Sequence, residues 1–327
     1  MEVSVIIVVR NEENYILNCI KSIENQFEDD KEWELIIVDG QSNDQTVQLV
    51  KNYLEYKKYN WKILTNPLKT LASGWNIGIK QSKGEYVIRP DAHAILKENY
   101  IKIGLQVLKN NSEIAAVGGV LITMSNTSIG DVIATAFSLK IAVGSSFRTN
   151  HKSCFSDTVV YAIYRKEIFE KVGYFDETLI RHQDNDLHKR IRKLGLKLWQ
   201  ESKMIAIYYS RDTYKKLVKQ MYNIGLNLPF VIFRGAVSYR HIIPFSFYSL
   251  NIFLIILSLI NKKFYFLFLL TFGLYFLLVL ITTIKVVLNK KNILYLKLLY
   301  IISTMHFFYF LGTLVGFFKF IKTKLLC

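Results

Sequence analysis

The charge pattern divides this 327-residue chain before any motif is read. All 26 Asp and Glu residues precede position 241, whereas His241–Cys327 carries nine Lys, no Arg and no acid, set among long apolar runs. A stretch so composed is written for a hydrocarbon environment rather than for the surface of a water-soluble domain. The first part holds 33 basic against 26 acidic residues, or +7, and the tail supplies the other +9 of the formal +16. A net charge of that size fits nucleic acid by sign alone. Lysines interleaved with apolar runs fit anionic lipid head groups instead, so membrane lipids and not nucleic acid are the expected partner.

Three apolar segments, 242–260, 264–284 and 298–318, approach or reach the ~20 residues that cross a bilayer. The first is the weakest, interrupted by Pro244, Ser246, Ser249, Asn251 and Ser258. Ahead of them, 211–241 mixes lysines with aromatic and aliphatic residues. That suits either amphipathic helices in the membrane interface or a solvated basic face. The expected organisation is a soluble domain over 1–210, interfacial helices over 211–241 and a transmembrane domain over 242–327. Three crossings from a cytoplasmic front put Lys285, Lys290, Lys291 and Lys297 inside, as the positive-inside tendency prefers. They put Lys319, Lys322 and Lys324 outside, against it.

The front part alternates strand-like and helix-like segments. Val3–Val9 is continuous and β-branched, as a strand buried on both faces should be. An acid precedes it, Arg10-Asn-Glu-Glu13 follows and no small-residue cleavage site appears, so it reads as a strand and not as a signal peptide. Helical spacing over 14–25, 44–56 and 71–81 separates strands expected at 33–38, 61–64 and 85–89. Strands joined by helices imply right-handed crossovers and a mostly parallel, Rossmann-like sheet. In such sheets ligands bind at the carboxyl ends of the strands, which here gather Arg10, Asn11, Glu12, Asp39 and Asp91 along one rim. Asp91-Ala-His93 follows a strand that stops at Pro90. Alone, this pair reads either as metal ligands or as a solvated loop. Further on, Gly144–Arg148 reads as a flexible segment beside a cation. His182-Gln183-Asp184 reads as the turn before a basic helix over 187–194. Cys19, Cys154 and Cys327 lack metal-like spacing and read as reduced cytoplasmic thiols.

Taken together, Arg10-Asn-Glu-Glu, Val38-Asp-Gly-Gln-Ser-Asn-Asp-Gln-Thr46, Asn76-Ile-Gly78, Gly84-Glu-Tyr-Val, Asp91-Ala-His93, Gly144-Ser-Ser-Phe-Arg148, Gly173-Tyr-Phe-Asp-Glu177 and Gln183-Asp-Asn-Asp186 resemble the inverting family 2 glycosyltransferases of GT-A fold. The likeness is nearest to membrane-bound exopolysaccharide glycosyltransferases of the succinoglycan type, and it covers Val3 to about Trp199 with a similar tail behind. It implies transfer of a sugar from a nucleotide-diphosphate donor, expected to be a UDP-sugar, to a lipid-linked saccharide during surface polysaccharide synthesis. By resemblance, Asp39 meets the nucleotide base, and Arg10, Asn11, Glu12, Asn76 and Asp91 line the donor pocket. Asp91 with His93 would hold Mn²⁺ or Mg²⁺, with a diphosphate contact as the other role open to His93. Asp184 would be the general base, with Asp186 as its competitor. His182, Gln183 and Arg148 would face the acceptor; Gln183 stands where the family has Glu. The Gln-x-x-Arg-Trp motif of processive synthases is not present, since Met-Tyr-Asn-Ile follows Gln220. The resemblance thus implies a multi-pass cell-membrane enzyme with its catalytic domain in the cytoplasm. Two alternatives remain open at this point: transfer directly onto polyprenyl phosphate, and a nucleotide-binding membrane scaffold without activity.

Overall fold

The structure is a computed structural model and describes residues 1–210, 212–236 and 239–325. Cys327, one of the three expected thiols, lies outside the described residues; Cys19 and Cys154 are free thiols. Nine strands form one sheet: β1 (Val3–Val9), β2 (Trp33–Asp39), β3 (Asn60–Thr65), β4 (Tyr86–Ile88), β5 (Ala94–Leu96), β6 (Ile114–Met124), β7 (Cys154–Phe155), β8 (Val160–Arg165) and β9 (Lys197–Tyr209). Helices α1 (Ile16–Glu24), α2 (Thr46–Leu54) and α3 (Leu71–Gln81) separate the first four strands, and α4 (Tyr100–Asn110) precedes β6. Then come α5 (Ser128–Phe137), α6 (Lys140–Val143), α7 (Glu167–Val172) and α8 (Gln183–Lys193). The chain closes with α9 (Tyr214–Ile232), α10 (Ile243–Ser258), α11 (Lys263–Lys290) and α12 (Leu298–Leu325).

The strand order is β3-β2-β1-β4-β8-β6-β9-β5, with β7 paired to β9. The sheet is mixed, which corrects the expectation of a mostly parallel one. β3, β2, β1 and β4 are mutually parallel, whereas β8 runs antiparallel to β4 and β6, and β9 runs antiparallel to β5 and β7. The physical reason lies in the connections. A parallel neighbour requires a crossover of a dozen or more residues, usually through a helix, and helices alternate with strands in that regular way only as far as β4.

Register fixes the rim. Val9 of β1 stands beside Asp39 of β2, and Asp39 beside Thr65 of β3, so the three parallel strands end together. α3 packs on β1 and β2 through a glycine face. A Cβ at Gly78 would lie 2.4 Å from the Ile6 Cγ2, and one at Gly74 2.6 Å from a Val8 methyl. These glycines let the helix approach the sheet closely enough to bury Trp75 and Asn76. α8 begins at Gln183, with His182 at its N-terminal cap in a left-handed conformation (φ 64°). Gln183, Asp184 and Asp186 therefore sit inside the first turn of the helix, not in the turn ahead of it. Acidic side chains there are favoured by the helix dipole.

The chain divides into two compact units, residues 1–122 with 150–209, and residues 123–149 with 210–327. In the second, α5 and α6 share an apolar core with α9, α11 and α12, built on Ile133, Phe137, Leu217, Met221, Ile302 and Met305. α9 lies against α12 at backbone contact. A Cβ on Gly225 would fall 2.1 Å from the Tyr309 carbonyl oxygen, and one on Gly312 2.1 Å from that of Tyr222. Two helices, α11 and the stretch Ile293–Thr323, are long and apolar enough to cross a membrane. The expected first crossing is a helix of 16 residues, about 24 Å at 1.5 Å per residue, short of the ~30 Å hydrocarbon core. Three expected segments thus become two by length and composition.

Gly78→Ala is expected to destabilise the first unit by about 1–3 kcal/mol, the usual cost of forcing an extra carbon into a packed core. Thermal unfolding midpoints of the two proteins check this.

Candidate active site

Two loops interlock at the rim. After β2, the Asp39 carboxylate accepts hydrogen bonds from the Ser42 hydroxyl (2.6 Å) and the Ser42 amide (3.1 Å). After β1, the Asn11 amide donates to Ser42 Oγ (3.0 Å), and Asn11 Oδ1 accepts from the Asn43 amide (2.9 Å). The Glu12 amide donates to Thr46 Oγ1 (2.8 Å). Asn11 (φ 58°) and Gln41 (φ 59°) are both left-handed, as are Tyr161 (φ 44°) and His182. Non-glycine residues held in that region are uncommon and cluster at functional sites. Arg10 is exposed beside this pair of loops.

The segment after β4 brings the next groups. Arg89 is buried at 3 % exposure. Its guanidinium lies over the rings of Trp75 (4.1 Å), Phe175 (4.8 Å) and Tyr164 (5.4 Å). It donates to the Tyr164 hydroxyl (2.9 Å) and pairs with the Asp184 carboxylate. Two residues on, Asp91 Oδ2 accepts from the Tyr161 hydroxyl at 3.1 Å. His93 Nδ1 meets Glu12 Oε1 at 3.3 Å, and its ring touches Tyr208 and Tyr15 edge-on.

The two carboxylates of α8 have different surroundings. Asp186 is buried and paired with Arg190 Nε (3.0 Å). That guanidinium also donates to the carbonyl oxygens of Val172, Gly173 and Tyr174. Asp184 faces Arg89 and keeps 37 % of its side-chain surface exposed. Enclosure raises its pKa above the ordinary Asp value; Arg89 opposes the shift and the charge of Asp91 adds to it. Behind the pair, Tyr164 bonds His188 Nε2 (2.8 Å) and Thr158 bonds His188 Nδ1 (2.8 Å). Burial, with the charges of Arg89 and Arg192, holds this imidazole neutral, its pKa well below the usual value.

The structure therefore brings Arg10, Asn11, Glu12, Asp39, Asp91, His93 and Asp184 into one unit, on strand-end loops and the start of α8. Asn76 has a different setting from the one expected. Its amide donates to the Phe175 carbonyl (2.9 Å) and to Glu177 Oε1 (2.8 Å), and it accepts from the Phe175 amide (2.9 Å). Both ends of the side chain are thus spent on tethering the 173–177 segment to α3. Gln183 is also buried, donating to the Ile180 carbonyl (2.7 Å). Arg148 belongs to the second unit, where it donates to Thr123 Oγ1 (2.5 Å) and lies over Phe137. Its loop is pinned, since Thr149 Oγ1 donates to the Gly144 carbonyl (2.8 Å) and accepts from the Ser146 amide (3.0 Å). Arg89, Tyr161, Tyr164 and His188 were not singled out from the sequence. The signal for Arg89 was present: a charge inside the apolar run Tyr86–Ile88 and its Pro90 terminator needs a buried counter-ion.

A mixed sheet with a parallel half, acidic groups at its carboxyl rim and a carboxylate opening the following helix define a GT-A-like glycosyltransferase domain. The chain belongs to glycosyl transferase family 2, whose profile matches residues 4–173 and so ends before Asp184. A Methanococcus voltae relative is 29 % identical over 93 % of each chain. Its name is dolichyl N-acetyl-alpha-D-glucosaminyl phosphate 3-beta-D-2,3-diacetamido-2,3-dideoxy-beta-D-glucuronosyltransferase. The succinoglycan biosynthesis protein ExoA of Rhizobium meliloti is 25 % identical over 58 % of each chain. Among solved structures, the mannosyltransferase PcManGT of Pyrobaculum calidifontis, in complex with GDP-Man and Mn²⁺, superposes with a TM-score of 0.64 at 15 % identity. That match covers 96 % of this chain and 87 % of the other.

His188 yields a pH prediction. Its folded pKa lies below its unfolded one, so its contribution to stability is complete above about pH 6.5 and is lost as pH falls from there. Stability is expected to drop by up to about 1.4 kcal/mol per pH unit below 6.5 through this one group. Thermal midpoints from pH 7.5 to 5 should show a shallower decline in His188→Gln than in the native chain.

Proposed function

We propose that this protein is an inverting glycosyltransferase that passes a sugar from a nucleotide-diphosphate donor, a UDP-sugar, to a lipid-linked saccharide. The observation that carries the reading is the pairing of Asp184 with Arg89 near Asp91. An acceptor hydroxyl is a poor nucleophile and needs a base. Asp184 faces its cation yet stays accessible, and its raised pKa makes it a better base than a free Asp. Asp186 is excluded from that task by Arg190. With Asp184 as the base and Asp91 given to the diphosphate end of the donor, the hydroxyl displaces the nucleoside diphosphate directly, with inversion. Asp39 is the group to meet the nucleotide base, with Arg10 and Glu12 beside it. The acceptor class rests on the relative named as acting on a dolichyl-linked sugar phosphate, which matches this chain along nearly its whole length.

Among the described residues, no three His, Cys, Asp or Glu side chains converge as a metal site. Asp91 and His93 offer one carboxylate and one imidazole. That set is small for a cage made of protein alone, but it fits a cation that shares its remaining ligands with diphosphate oxygens and water. Mn²⁺ or Mg²⁺ bound there would offset the charge of the departing nucleoside diphosphate. Asp91 and His93 would orient the diphosphate end of the donor, and Tyr161 would hold the Asp91 carboxylate.

The same proposal places the enzyme at a membrane, with its catalytic unit on the cytoplasmic side where nucleotide sugars are found. α11 has a mean hydropathy of 2.5 with only 6 % of its apolar window buried, so its surface is left for lipid. Crossing by α11 and α12 alone returns Lys319 and Lys322 to the catalytic side and leaves Lys285, Lys290 and Lys291 across from it.

Asp184→Asn is expected to lower turnover about 10²–10⁴-fold with donor binding retained. Arg89→Met, by removing the attraction that keeps Asp184 ionised, is expected to move the acid limb of the rate profile to higher pH. Release of nucleoside diphosphate from UDP-sugars, with lipid-linked saccharide as acceptor and with Mn²⁺ or chelator, measures both. Turnover on polyprenyl phosphate alone would overturn the acceptor, and full activity in Asp184→Asn would overturn the mechanism.

A further inference from the structure

The second unit holds a half-open cavity of about 350 Å³ between α6, the residues before α10, and helices α9 to α12. Ligand pockets of this size between helices are the usual form of a binding site in a bundle. Its wall is apolar and adaptable, with Met221, Ile224, Phe247, Leu278 and Met305 on four different helices. The polar atoms in that wall satisfy one another. His306 Nε2 lies 3.2 Å from the Ala142 carbonyl, which only accepts, so this nitrogen carries the proton. His306 Nδ1 then accepts from the Tyr275 hydroxyl at 3.0 Å. The Tyr309 hydroxyl donates to the His241 carbonyl at 3.1 Å. An ionisable residue in a helix apolar enough to cross a membrane marks a functional position. Two cations, Lys140 and Arg240, also line the cavity; Lys140 is exposed, and Arg240 is held by the Ser145 carbonyl.

An apolar interior with cations among its lining groups matches an amphiphile with one apolar chain and an anionic head. We propose that this cavity binds the isoprenoid phosphate end of the acceptor, the leading prenyl units inside and the phosphate at Lys140 and Arg240. The proposal rests on the lipid-linked acceptor argued above and adds where this chain holds the carrier. An acidic glycerophospholipid offers the same phosphate but brings two acyl chains to a cavity of this small volume. A single methyl-branched chain suits walls of methionine and aromatic rings, which adjust to irregular shapes.

Photo-crosslinking tests this. The full-length protein in phosphatidylcholine vesicles is irradiated with a diazirine-bearing farnesyl phosphate, and labelled peptides are mapped by mass spectrometry. Label is expected on peptides carrying Met221, Phe247 or Met305, displaced by undecaprenyl phosphate and not by phosphatidylglycerol. Met305→Trp, which fills the cavity, and Arg240→Gln, which removes a cation from its lining, should each cut labelling at least 10-fold in protein whose circular dichroism shows it folded at the assay temperature. Label on other peptides, equal labelling of both variants, or equal displacement by phosphatidylglycerol would overturn the proposal. The transfer assay on the same preparations separates the two readings. Native transfer rates in variants that no longer crosslink would remove the cavity from acceptor binding and leave the function standing. A native protein that crosslinks in the cavity yet transfers to no lipid-linked saccharide would overturn the function instead.

Discussion

The ion pair between Arg89 and Asp184 is the contact on which the candidate site depends. A guanidinium at 3 % exposure has given up most of its water, and such a charge is tolerated only with a partner and with polarizable neighbours. Three aromatic rings and the Tyr164 hydroxyl supply the neighbours, and Asp184 supplies the partner. Arg89 Nε still has no hydrogen-bond partner among the described residues, which leaves the guanidinium more dependent on that carboxylate. Because Arg89 directly follows β4, while α3 carries the Trp75 ring and α8 the carboxylate, one charge fixes three elements against one another. Removing Asp184 would leave the buried guanidinium without its counter-ion, so the arrangement serves folding and chemistry together.

Much of this was legible in the residues. The continuous apolar run Val3–Val9, the Asp39-Gly40 stop and the helical spacing over 71–81 each state a local preference that the fold keeps, and together they place the rim. What escaped was long-range. Nothing in Asn76 distinguishes a ligand contact from a tether to Phe175, which lies 99 positions away. Asp184 and Asp186 are equivalent by composition, and they separate only because Arg89 and Arg190 reach them from different directions. α8 begins at Gln183, four residues ahead of the helix expected over 187–194, and the left-handed His182 that opens it leaves no mark in the hydrophobic spacing. The antiparallel half of the sheet was unreadable for a related reason. Strand direction is decided by the path of a connection, and periodicity carries no information about paths.

The residues between β6 and β7 make the same point about organisation. Residues 125–144 are rich in small side chains, and they supply α5 and α6 to the core of the second unit. A segment embedded in the middle of the catalytic sequence thereby contributes to the helical unit. The family profile runs straight through it. Sequence continuity and structural membership differ here because apolar faces, not chain order, choose their partners.

The glycines that join α9 to α12 bear on how a long lipid chain would enter the second unit. Where Gly225, Gly312 and Gly316 bring two backbones into contact, no gap the width of a methylene is left between the helices. At those positions the seam is closed. A chain arriving sideways from a bilayer would have to pass where α10 and α11 flank the cavity, beside side chains that turn on their own bonds rather than beside fixed backbone. The route of entry would then be governed by rotamer exchange at residues such as Phe247 and Leu278, on a timescale far shorter than any parting of the helices.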